Sequence, residues 1–283
     1  YETWVRRYDR LKPIDRSRIR EHIEQLPARP TISVLMPVYN PPIKWLRRAI
    51  DSVRKQLYPH WELCIADDAS TDPAVRKVLS EAARADQRIK VVYRGINGHI
   101  SAASNSALEI ATGEYVALLD NDDEFSEHAL YHMAVEIAAH PGADLFYSDE
   151  DKLDADGIRY HPYFKPAWNP DLMLSQNTVG HLAVYRRSAM LTVGGFRVGF
   201  EGAQDHDLAL RVSERAGPDG IRHVPYILYH WRSIEGSTAR AGSEKSYAWV
   251  AGKKAVEEAL ARRAIPATVG DAAGGIFYRV HHA

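Results

Sequence analysis

Four short apolar runs separated by helix-patterned stretches constrain the fold of this chain more than any other feature. The runs are Thr31 to Pro37, Glu62 to Ala66, Ile89 to Tyr93 and Tyr115 to Leu119. Runs of this kind belong in strands covered on both faces, as in a parallel sheet. Between them, Trp45, Leu46, Ala49, Ile50 and Val53 form one helical stripe, and further helices are expected near Ala74 to Ala83 and Ala102 to Ala111. Strands alternating with helices of this length signal right-handed βαβ units. In such sheets ligands collect at the carboxyl ends of the strands, so the residues just after each run are the candidates for chemistry.

The pattern continues with a helix near Glu127 to Ala138 and a strand at Asp144 to Tyr147, then loses its regularity. Ser148 to Asn177 is polar and aromatic, broken by Pro162, Pro166 and Pro170. Loops this long inside a compact domain tend to be functional. Regular elements are expected again at Leu182 to Tyr185, Asp205 to Glu214, Val224 to Tyr229 and Glu244 to Arg263. The Arg- and Glu-rich start should hold a helix near Ser17 to Leu26, ended by Pro27 and Pro30.

Composition narrows the class. The 283 residues are 45% hydrophobic and 26% charged, an ordinary globular balance, and the net charge of −1 advertises no nucleic-acid partner. Cys64 is the only cysteine, which excludes an internal disulfide framework and a thiolate metal cage and fits a reducing compartment. No stretch approaches the roughly 20 apolar residues of a membrane span. The start at Tyr1, without an apolar leader, suggests a soluble piece of a longer protein.

At the first strand end, Pro37-Val38-Tyr39-Asn40 reads as a stiffened turn whose ring could stack on a nucleobase. At the second, Asp67-Asp68-Ala69-Ser70-Thr71-Asp72 offers acceptors for a base edge, or caps for a helix with Pro73 at its first position. At the third, Asn97-Gly98 opens a helix of small residues, where backbone can approach a sugar or phosphate. No P-loop or GxGxxG occurs. At the fourth, Asp120-Asn121-Asp122-Asp123-Glu124 crowds four acids after a buried strand. Such acids repel one another unless a cation or donor network compensates, and hard oxygen ligands suit Mg²⁺ or Mn²⁺ completed by substrate phosphates.

This ordered set resembles the family 2 glycosyltransferases. It continues through Asn105, Gly194-Gly195-Phe196, Gln204-Asp205-His206-Asp207-Leu208 and Tyr229-His230-Trp231-Arg232. The resemblance implies an α/β chain of the GT-A fold, with a Rossmann-like, mostly parallel central sheet flanked by helices and a smaller acceptor-side region. Residues 1–29 would form an N-terminal helical arm and residues 30–240 the catalytic domain. Within that domain, 30–125 would be the nucleotide-binding half and 126–240 the acceptor-binding half, followed by a C-terminal helical extension over 241–283.

It further implies that Pro37, Tyr39 and Asp68 line the nucleobase pocket, with Asn97, Gly98 and Asn121 bordering the nucleotide. Asp120 and Asp122 would be the DxD pair, and His230 a later metal ligand, favouring Mn²⁺ somewhat over Mg²⁺. Asp205 would be the general base, with Gln204 where family members usually carry Glu. The segments Tyr147 to Lys152 and His161 to Asp171 are similar to a subgroup that assembles bacterial surface polysaccharides such as O-antigen. There Asp149 and Glu150 would end a strand and bind sugar hydroxyls, and Tyr163, Phe164 and Trp168 would stack on a pyranose or form the loop's own core. Arg232 or Arg240 would add positive charge for the phosphates.

The resulting expectation is inverting transfer from a UDP, dTDP or GDP sugar to a glycan or lipid-linked saccharide, in the cytoplasm or at the inner membrane face, with room for peripheral membrane association. The QxxRW signature of processive synthases is missing, so addition of one or few residues is expected. The rivals are a catalytically inactive nucleotide-sugar-binding domain of a larger assembly protein, and a nucleotidyltransferase. The second would need a Gly-rich basic loop after the first strand, where Pro37-Val38-Tyr39-Asn40 stands.

Overall fold

A computed structural model describes residues 1–233, 246–272 and 277–283. Two helices, α1 (Glu2–Tyr8) and α2 (Pro13–Gln25), lead into a Rossmann-like half. That half runs β1 (Ile32–Val38), α3 (Ile43–Arg54), β2 (Trp61–Asp67), α4 (Pro73–Ala85), β3 (Ile89–Tyr93), α5 (His99–Glu109) and β4 (Tyr115–Leu118). The four strands lie in the order β3-β2-β1-β4, all parallel. Alternation splits their side chains between two cores, with Val34 and Met36 on one face and Leu35, Cys64 and Ala66 on the other. The α3 stripe expected from sequence is buried throughout.

The second half adds β5 (Glu124–Phe125), α6 (Ala129–Ala139), β6 (Leu145–Leu153), β7 (Arg159–Tyr163), α7 (Pro170–Ser175), β8 (Ala183–Arg186), α8 (Arg187–Thr192), α9 (Gln204–Ala216) and β9 (Ile221–Arg232). The sheet continues β4-β8-β6-β9-β5, with β7 beside β6. β8 is antiparallel to both β4 and β6, β9 is parallel to β6, and β5 is antiparallel to β9. The sheet is therefore mixed, with β5, β7 and β8 running against the other six strands.

Two differences from expectation have physical reasons. β6 does not stop at Tyr147 but runs through the charged stretch to Leu153, because each acid on it meets a partner. Asp149 accepts from His223 at 2.7 Å, Glu150 from Lys165 at 3.0 Å and Asp151 from Arg159 at 2.6 Å. The C-terminal segment is also more than a helix. α10 (Ser246–Arg262) packs on α9 through Arg262–Glu214 at 2.7 Å, and an antiparallel pair, β10 (Ala267–Asp271) and β11 (Tyr278–His282), follows. Trp249 of α10 stacks on Tyr278 of β11 at 4.3 Å.

Candidate active site

The first group of candidate residues is gathered where β1, β2 and β3 stop. Tyr39 follows β1 with half of its surface exposed, and Asn121 Nδ2 donates to the Pro37 carbonyl at 2.8 Å, tying the acidic loop to the β1 turn. Asp72 caps α4 by accepting the Ala74 N–H at 2.9 Å, while Asp68, the first residue after β2, does something else. Asp68 is buried, and its Oδ1 takes the Arg94 Nε at 2.7 Å and the Gly98 N–H at 3.0 Å. Asn97 Nδ2 donates to the Asp68 carbonyl at 3.2 Å. The structure thus brings Asp68, Asn97 and Gly98 together and adds Arg94, which sequence reasoning missed. A Cβ on Gly98 would stand 2.7 Å from Arg94 Nη2, so glycine is what permits this approach.

A cavity of about 890 Å³ opens beside this end, and among its lining residues are Asp120, Asn177, His181, Asp205, Trp231 and Trp249. Asp120 keeps 38% of its side chain open, yet it sits deep enough that burial raises its carboxyl above the usual range, with Asp205 adding to the rise and His181 opposing it. Asp122 is pushed up to about 6 by burial and then by the charge of Asp120. Asp123 is buried and spent on structure. It accepts from the Tyr229 hydroxyl and the Arg232 N–H, both at 2.6 Å. Burial and their mutual repulsion disfavour the charged forms of Asp120 and Asp122 more than His181 and Arg232 favour them, and a pair of hard oxygen donors in that state fits a divalent cation that shares its shell with substrate phosphates.

Asp205 stands in the first turn of α9 beside Asp207, and the two acids differ. Neither caps the helix, whose N-cap is Ala203. Burial works against the charge of Asp207, but Arg197 and Arg211 outweigh it and hold its carboxyl below the usual range. Asp205 instead lines the cavity and accepts from Asn177 Nδ2 at 2.8 Å. Gln204 Oε1 accepts the Gly202 N–H at 2.7 Å, so an amide fixes this turn without a second negative charge next to Asp205. A Cβ on Gly202, which has φ +83°, would come within 2.7 Å of Tyr247 and Ala248, so the turn is also pressed against α10.

Several expectations are corrected. His230 is not brought to Asp120 and Asp122. Alternation along β9 places it with Glu124 and Arg232, opposite Tyr229 and Trp231, and its Nδ1 lies 2.6 Å from Asp151 Oδ1. Among the described residues no group of three His, Cys, Asp or Glu side chains is arranged to hold a metal ion. The imidazole beside Asp120 is that of His181, with Nε2 at 4.0 Å from Oδ2 and its ring stacked on Tyr229 at 4.5 Å.

Asp149 and Glu150 are mid-strand, not strand-end. Asp149 is buried under the Lys165 N–H and His223, and Glu150 holds Lys165 and the His181 N–H. Arg232 is fully buried, with Nε donating to the Asp122 carbonyl at 2.8 Å, so it shapes the acidic loop rather than meeting phosphates. Arg240 lies outside the described residues. Trp168 packs on the core, whereas Phe164 meets Trp4 edge-on at 5.4 Å and stays 53% exposed.

The sheet and the strand-end cavity are those of the GT-A class of α/β proteins. A crystal structure of S. aureus TarS in complex with UDP-GlcNAc superposes with a TM-score of 0.65 at 22% identity, covering 81% of this chain and 66% of that one. The family model for glycosyl transferase family 2 matches residues 33–194, and the chain belongs to that family. It is 46% identical over 273 residues to the uncharacterized protein y4gI of Sinorhizobium fredii, covering 95% of this chain and 30% of that protein. It is 40% identical over 262 residues to the O-antigen biosynthesis protein RfbC of Myxococcus xanthus, covering 93% of this chain and 20% of that protein. The chain thus spans a third or less of the length of these relatives. Among the described residues no helix is long and apolar enough to cross a membrane.

Proposed function

We propose that the chain transfers a sugar, with inversion, from a nucleoside diphosphate sugar to a hydroxyl of a glycan or lipid-linked saccharide during surface polysaccharide assembly. The observation that carries this is one cavity lined by both Asp120 and Asp205, the latter steadied by Asn177. In the reaction the acceptor oxygen bonds to the anomeric carbon while the bond from that carbon to the diphosphate breaks on the opposite face. The acceptor proton passes to Asp205. Asp120 and Asp122 would hold Mn²⁺ or Mg²⁺, which when bound supplies Lewis-acid stabilisation of the departing diphosphate.

Tyr39, Asp68, Asn97 and Gly98 take the nucleotide at the ends of β1 to β3. UDP is the first nucleotide to try, because TarS is described in complex with UDP-GlcNAc. The naming of RfbC for O-antigen biosynthesis supports a polysaccharide acceptor. Addition of one or few sugars, work at the inner membrane face, and service as the catalytic unit of a longer protein complete the proposal. Its test is calorimetric titration of UDP, dTDP and GDP with Mn²⁺, followed by release of nucleoside diphosphate from the matching sugar donors. Binding without release by the wild-type protein would favour the inactive sensor instead.

A further inference from the structure

We infer that Asn177 is a positioning residue for the base Asp205, and that the loop 176–182 exists to deliver it. The inference rests on the proposed role of Asp205. Asn177 Nδ2 donates to Asp205 Oδ2 at 2.8 Å, and Asn177 Oδ1 accepts the Gly180 N–H at 3.1 Å. The two partners settle the amide orientation between them. A carboxylate oxygen can only accept and a backbone N–H can only donate, so the NH₂ must face Asp205. Asn177 therefore engages Oδ2 and turns Oδ1 over to the acceptor hydroxyl.

The loop that carries Asn177 is anchored from behind by a buried ion pair. Lys165, whose side chain has no exposed surface, reaches Glu150 Oε2 at 3.0 Å and the carbonyls of Val179, at 2.8 Å, and His181. Glu150 Oε2 in turn accepts the His181 N–H at 2.9 Å. Burial works against the charge of Glu150, but Lys165 and then His181 outweigh it and keep its carboxyl below the usual range. A carbonyl-and-amide staple of this kind holds loop backbone in one place, which a base needs if its oxygen is to stay within hydrogen-bond reach of the acceptor.

The test compares Asn177→Ala, Asn177→Asp and Asp205→Asn in the whole chain, using UDP-GlcNAc and the other sugar donors with Mn²⁺. In Asn177→Ala, kcat should fall about 10- to 100-fold, the scale of a lost supporting hydrogen bond to a catalytic group. The dissociation constant for UDP and the melting temperature should stay at wild-type values. Asn177→Asp should fall further at neutral pH and recover part of its activity as pH falls, since a protonated carboxyl can again donate to Asp205.

Asn177→Ala with wild-type kcat, alongside an inactive Asp205→Asn, overturns the inference and leaves the function standing. An active Asp205→Asn overturns the base assignment, and wild-type protein that turns over no donor overturns the function and the inference together.

Discussion

Two acidic sites, at opposite ends of the same set of parallel strands, have opposite electrostatics. At the amino end, Glu62 near the start of β2 receives the Ser33 hydroxyl at 2.7 Å, Lys90 Nζ at 2.6 Å, and both the N–H and hydroxyl of Thr112 at 2.5 and 2.9 Å. Burial opposes its charge, yet these donors outweigh burial and hold it at about 2. At the carboxyl end, Asp122 is likewise crowded by protein but faces Asp120 instead of donors, and it stands at about 6. The same residue class is stabilised as a carboxylate where the fold supplies its donors and destabilised where the fold withholds them, which is where the proposed cation would act. A ligand must then provide the missing charge.

The largest expected effect comes from Asp205. Asp205→Asn should lower kcat on the order of 10³-fold with UDP binding unchanged, the range of general-base loss, measured by steady-state release of nucleoside diphosphate. Asp122→Asn should cost on the order of 10²-fold in activity and weaken Mn²⁺-dependent UDP binding by calorimetry, while leaving or raising thermal stability because an uncompensated acid is gone. Stability that drops in this variant would mean the acidic loop is structural and would break the contrast.

Glu62→Gln should do the reverse. It places an NH₂ against donors and leaves Lys90 unpaired, so urea unfolding should show a loss of about 3 kcal/mol with activity per folded molecule retained.

The pH dependence sharpens the contrast with the smallest effects. Glu62 lies below its ordinary 4.5 in the fold, so its contribution is complete above 4.5 and is lost as pH falls toward about 2. Asp122 lies above its ordinary 3.8, so its penalty is absent below 3.8, grows as pH rises, and is complete above about 6. Mn²⁺ with UDP should therefore raise the melting temperature more above pH 6 than below it. An equal shift on both sides would place the cation away from Asp122.

Much of the first half was legible because its information is local. β1 to β4 are apolar runs, and each candidate group there follows its strand within a few residues, as Tyr39, Asp68, Gly98 and Asp120 do. The second half hid its logic in pairings. Ser148 to Lys152 looked like a loop because its acids are uncompensated along the chain, whereas His223, Lys165 and Arg159 compensate them across the sheet. His230 looked like a ligand from its place in a motif, but the β9 alternation turns it toward Asp151.

The sequence by itself therefore determined the parallel half, the turns at its strand ends and the acidic turn, since periodicity and strand ends are properties of neighbouring residues. Only the tertiary structure decided which acids stay free and which side chains join them. Asn177 and His181 precede β8 rather than follow a strand, and β8 runs antiparallel to β4, so its beginning lies at the edge where β4 ends. A rule that looks after each strand passes over them, because strand direction is set by partners distant in the chain.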